Sequence, residues 1–227
     1  MKKILILLIT VFGCLAFVSI SAATDFDHVW VTAVVNVYDQ NDFPEMTGGA
    51  GMFLTAVPAT SPSEPVSVDS DVTGTTDLYE YTGWNYWMRG FDSPPIGDQW
   101  ATEYVFQSGS DTSTLDLSHC TFRELDIPQN ITINNATISW DPVENASYYK
   151  LRVFELDESG NPKIEAGPIA QTGMLDSTTY ERENPEPGRY ALRIIAYGFC
   201  GDHPVNKSTI TILHEVTDEI VSSGSPK

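Results

Sequence analysis

Apolar and polar positions alternate with a period of two along most of this chain, which predicts short β-strands punctuated by Gly and Pro. Val29, Val31, Ala33, Val35 and Val37 fall on one face of a first strand that ends at Asp39-Gln40-Asn41-Asp42, and that face is expected to look inward. Further strands are expected at Met52 to Val57, Val66 to Val72, Leu78 to Tyr81, Trp84 to Phe91 and Trp100 to Gln107. Gly48-Gly49-Ala50-Gly51 leads into the Met52 run, and Pro58, Pro62 and Pro65 follow it, which confines pairing there to edges or loops. No helical period interrupts the series, so a β-sandwich is the expected architecture.

The second half repeats the pattern. Ile131 to Ile133 and Ala136 to Trp140 flank an Asn134-Asn135 turn, and Tyr148 to Leu156 places Tyr149, Leu151 and Val153 on one face with Tyr148, Lys150, Arg152 and Phe154 on the other. Shorter strands are expected at Lys163 to Thr172 and Thr178 to Arg182. After Pro187-Gly188, the residues Tyr190, Leu192, Ile194 and Ala196 are expected to face inward and Arg189 and Arg193 outward, with a last strand at Ser208 to Leu213.

Trp140 in the second strand of this half, Tyr149 in the third and Tyr190 just after a Pro-Gly turn carry a resemblance to the fibronectin type III domain. The resemblance implies an immunoglobulin-like sandwich in which Trp140, Tyr149 and Tyr190 are structural core, with the Tyr190 hydroxyl bonding back to nearby backbone. Pro185 departs from the leucine usual before that turn, and the turn is a residue shorter. The family's Arg-Gly-Asp tripeptide is absent, since Cys200 precedes Gly201-Asp202. The resemblance therefore implies a fold and no ligand.

The N-terminus changes the picture of where the chain works. Met1-Lys2-Lys3, an apolar run from Ile4 to Ile20 and Ser21-Ala22-Ala23 have the build of a secretory signal peptide of bacterial type, with cleavage near Ala23. The apolar run is at the low limit for crossing a ~30 Å hydrocarbon core, so no membrane span is expected after cleavage. The expected organisation is a signal peptide over 1–23, a sandwich over 24–126, a fibronectin-like domain over 127–215 and a flexible tail over 216–227. The destination is secreted, cell-surface or periplasmic.

Charge and cysteines agree with export. The chain has 12 basic and 31 acidic residues, and loss of Lys2 and Lys3 takes the formal charge from -19 to -21. Such a chain repels phosphate backbones, so nucleic acid is not an expected partner. Cys120 and Cys200 remain after cleavage, and an even pair in an oxidising setting predicts a disulfide over two free thiols. Four Asn-x-Ser/Thr sequences, at Asn130, Asn135, Asn145 and Asn206, read as chance matches.

Candidate chemistry is sparse. Trp84, Tyr86 and Trp87 lie in an aromatic-rich run, and an exposed face of such rings stacks on sugars; the plainer alternative is that they fill a core or a domain contact. Asp69, Asp71, Thr73 and Gly74 with Glu80 match part of a calcium loop, but the flanks read as strands, so a solvated acidic turn is expected and no metal site. His28, His119, His203 and His214 are widely spread, and no nucleophile elbow, zinc-helix motif or phosphate-cradling loop occurs. The sequence points to an exported, non-catalytic binding, adhesion or spacer protein without a cofactor, whose partner is an extracellular protein or glycan.

Overall fold

The computed structural model describes residues 26–62, 64–81, 86–91, 100–120, 125–134, 136–182 and 186–217. The expected leader, Trp84, Asn135 and the tail from 218 onward lie outside them. The first half contributes β1 (Phe26–Tyr38), β2 (Gly49–Pro58), β3 (Val66–Asp69), β4 (Thr76–Asp77), β5 (Tyr79–Tyr81), β6 (Tyr86–Phe91), β7 (Glu103–Ser108) and β8 (Asp111–Asp116). The second contributes β9 (Thr132–Asn134), β10 (Thr137–Ser139), β11 (Tyr148–Phe154), β12 (Ala170–Gln171), β13 (Thr179–Glu181), β14 (Gly188–Cys200) and β15 (His203–Val216). The one helical element among the described residues is a 3-10 turn at Ile164–Ala166. No helix among them is long and apolar enough to cross a membrane.

Eight of these strands form one sheet, in the order β12-β11-β14-β15-β1-β2-β6-β5. A four-stranded sheet, β4-β3-β7-β8, and a three-stranded one, β13-β10-β9, complete the all-β fold. The expected boundary at 126/127 falls between β8 and β9, and the large sheet crosses it through a seam where β1 runs parallel to β15, Ala33–Tyr38 against Asn206–Thr211. The near-continuous β-branched run of β1 suits a strand whose two faces are both covered. Val31 and Val34, on opposite faces, are both buried.

The inner face of the large sheet carries two separate cores. Val31, Met52, Leu54 and Ala56 pack against Val66, Val68, Tyr104, Phe106 and Leu115 of the four-stranded sheet. Leu151, Val153, Leu192, Ile194 and Ala196 pack against Ile138 of the three-stranded sheet and the adjoining Trp140. Each of the larger side chains stabilises by roughly 1.5–3 kcal/mol on burial, which is what holds two sandwiches onto one shared sheet. Trp140 and Tyr149 meet edge to face at 5.4 Å inside the second core, and the Tyr149 hydroxyl accepts the Val143 N–H at 2.7 Å.

Two segments differ from expectation. Lys163 to Thr172 holds the 3-10 turn and the two-residue β12 in place of one strand; Pro168 cannot donate to a ladder and Gly167, at φ 81°, breaks extension. Asp111–Asp116, where no strand is expected, pairs along its length with β7 as a strand.

Candidate binding surface

Strand alternation places Tyr148, Lys150 and Arg152 of β11, Arg193, Ile195 and Tyr197 of β14, and Lys207, Thr209 and Thr211 of β15 on the outer face of the large sheet. The register puts Arg152 opposite Arg193 and Tyr197 opposite Lys207. Four cations thus stand on three adjacent strands of a chain with only 12 basic residues. The acidic side chains that dominate the composition do not answer them: among the described residues the ion pair formed is Lys163 with Glu155, on the surface.

Arg193 was expected to point to solvent, yet it is 9% exposed. The cause is the β1–β2 connection, where Phe43 packs with Tyr38, Phe154 and Ala191 in a small cluster over that end of the outer face. The Asp42 carboxylate accepts the Leu213 N–H at 2.8 Å and pins the connection there. The Arg193 guanidinium donates to the Thr211 hydroxyl at 2.9 Å and to the Tyr38 hydroxyl at 3.0 Å. It also stands 5.6 Å from the Tyr38 ring centroid and 5.4 Å from that of Phe154. Hydroxyls and rings soften the burial of a charge but do not neutralise it.

The neighbouring cations are strained by each other. Burial, then the charges of Arg152, Arg193 and Lys150, push the Lys207 ammonium down to about 8. Lys150 is lowered by burial and by Arg152. The Arg152 Nε is buried with no hydrogen-bond partner. Rings border the group: Tyr148, which is exposed, meets Phe199 at 5.4 Å, and Phe199 meets Tyr197 at 6.3 Å.

The far end of the same face is aromatic without cations. Trp30 of β1 meets Tyr86 of β6 at 5.8 Å. The Phe53 ring of β2 lies over Gly90, where an added Cβ would come within 3.1 Å of it, so the glycine makes room for the ring. As consecutive residues of β6, Tyr86 and Trp87 go to opposite sides: Trp87 packs against the first core, with its indole N–H buried and unpartnered.

Other sequence candidates fall elsewhere. Tyr190 donates to the Glu186 carbonyl at 3.3 Å, stacks with Arg182 at 5.1 Å and closes over Gly188, where a Cβ would sit 3.0 Å from its hydroxyl. Cys120 and Cys200 form a disulfide with Cα atoms 5.7 Å apart, tying the end of the β8 segment to the end of β14. His119 lies beside them, but both sulfurs are committed to each other and donate nothing to a metal. The Asp69–Thr75 turn is closed by its own side chains, with Thr75 donating to Asp69 at 2.8 Å and the Ser70 and Thr73 hydroxyls 2.8 Å apart, while Glu80 stands on a strand of the other sheet. Asn206 is buried within β15, which keeps that Asn-Lys-Ser sequence from any glycan transfer in the folded chain.

No family model matches the chain, and no curated protein matches it in sequence. Among solved structures it is similar to one titled "Crystal structure of Dpr11 IG1 bound to DIP-gamma IG+IG2", at 12% identity over 84% of this chain and 98% of that one, with a TM-score of 0.23. A likeness that weak leaves the fold to rest on the strand pairing described above.

Proposed function

We propose that this chain is an exported, non-catalytic binding protein that offers the outer face of its eight-stranded sheet to an extracellular ligand. The carrying observation is the contrast between the two faces. The inner one is consumed by apolar cores, whereas the outer one carries unpaired cations and half-exposed rings. A disulfide fits an oxidising compartment, and the leader-like segment over 1–23 supplies the route. The Tyr190 bond back to Glu186 and the Trp140–Tyr149 packing support a fibronectin type III likeness for the second half.

A second reading, sugar stacking by aromatic rings, is favoured at the far end of the same face by the Trp30–Tyr86 pair. The test is a glycan and protein array probed with the mature chain and with Tyr148→Ala and Trp30→Ala, each checked for unchanged melting. Binding weakened by either outer-face variant supports the reading. Binding untouched by both, but lost on substituting exposed Tyr79 at the sheet edge, relocates the site and overturns it.

A further inference from the structure

The cation group on β11, β14 and β15 has no acidic partner among the described residues. Buried or half-buried charges are normally paired, because removing an ion from water costs far more than hydroxyl contacts return. Here Arg193 is buried and meets two hydroxyls, the Arg152 Nε has no acceptor, and Lys207 is half-buried with neither carboxylate nor hydrogen-bond partner among the described residues. Gathering such groups costs stability, and an anion seated among them repays it. We propose that Lys207, Arg152 and Arg193 form an oxyanion site that takes the carboxylate of an acidic sugar, with the sugar ring against Tyr148 and Phe199. This deepens the outer-face reading and rests on it.

Three features favour a carboxylated glycan over other anions. An extended peptide gains affinity by adding main-chain bonds to a free sheet edge, but these strands lie inside the sheet, and the nearest edge strand, β12, is two residues long. The site offers side chains on a sheet face bordered by rings, which suits flat rings with polar rims. Nucleic acid is opposed by the formal charge of -19, and its high charge density makes it depend on many cations at once. An isolated carboxylate depends on the local group alone, since acidic residues beyond a Debye length of about 8 Å are screened. A chain-like ligand has room to continue: five strand spacings, roughly 24 Å, separate β11 from β6, where Trp30 and Tyr86 offer a second ring platform.

The test is titration of the mature, disulfide-intact chain with oligogalacturonate, its methyl ester, a neutral galactose oligomer, poly-glutamate and single-stranded DNA. The account expects oligogalacturonate to bind, the ester and neutral oligomer to bind about tenfold more weakly or worse, and added salt to weaken the acidic ligand alone. Lys207→Gln and Arg152→Gln, whose melting checks that they fold, are expected to cost the acidic ligand about tenfold each. Failure to bind oligogalacturonate, or binding indifferent to both variants, overturns the proposal. Equal binding of acid and ester overturns the anion site while the outer-face reading stands, provided Tyr148→Ala weakens both. Tighter binding of poly-glutamate or DNA, sensitive to Lys207→Gln, overturns the sugar assignment in favour of that class.

Discussion

Lys207 shows how a residue's neighbours set its chemistry. Its ammonium titrates near 8 in the fold against 10.5 for an unperturbed lysine. Between those values the unfolded chain holds more protons, so stability rises as pH climbs from about 8 to about 10.5, and the penalty is fully present below 8. Lys207→Met is expected to stabilise the ligand-free chain by about 1–3 kcal/mol at pH 7. The difference from the native chain should fade as pH approaches 10.5, and denaturant unfolding at several pH values measures it. His214 responds in the same sense across its own, lower range. It is buried, and desolvation followed by the Arg182 charge lowers its pKa below 6.5, so stability is lost as pH falls below that value. Trp140 and Tyr149 were legible in the sequence, because strand alternation and size place large rings inward. Arg193 and Lys207 were not, because a charged residue on the polar register of a strand reads as solvated. Only the β1–β2 connection and the register of three strands reveal them as a group. Tyr149→Phe, which removes the acceptor of the Val143 N–H, is expected to cost about 1–2 kcal/mol in the same assay.

At the scale of elements, the strands that announce themselves are those with clean period two, β1, β11 and β14. Their identity and inward faces follow from the pattern. Their neighbours do not: the parallel pairing of β1 with β15 joins Val34 to Lys207, and nothing local marks a contact so distant in the chain. The acidic, hydroxyl-rich β8 is silent for another reason, since Thr and Ser serve turns as well as sheets. The seam makes its own prediction. Thr209 sits in the middle of β15 between β14 and β1, and its hydroxyl meets Asn36 at 2.8 Å. Thr209→Pro removes a ladder bond and is expected to destabilise by about 3 kcal/mol or more. Near-UV dichroism should then lose the signals of rings in both cores together; loss from one core alone would contradict the shared sheet.

Among the described residues the halves are joined through the shared sheet, through the Tyr38, Phe43, Phe154 and Ala191 cluster, and through Cys120–Cys200. The sequence separation of 80 residues makes the closed loop long, and in the chain-entropy model such a cross-link stabilises by about 4 kcal/mol. The double variant Cys120→Ser, Cys200→Ser is expected to lose most of that in denaturant unfolding, with both sandwiches still formed. The cysteine pair was legible from number and setting; that it braces a single platform was not. Ligand recognition by the outer face depends on this platform, because β11 and β6 keep a fixed spacing only if the strands between them open together. Hydrogen exchange along a denaturant series, read by mass spectrometry, tests that directly. The account predicts one shared opening free energy for amides of β1, β2, β14 and β15. Separate opening of β1–β2 from β14–β15, with β15 exchanging independently of β1, would contradict it.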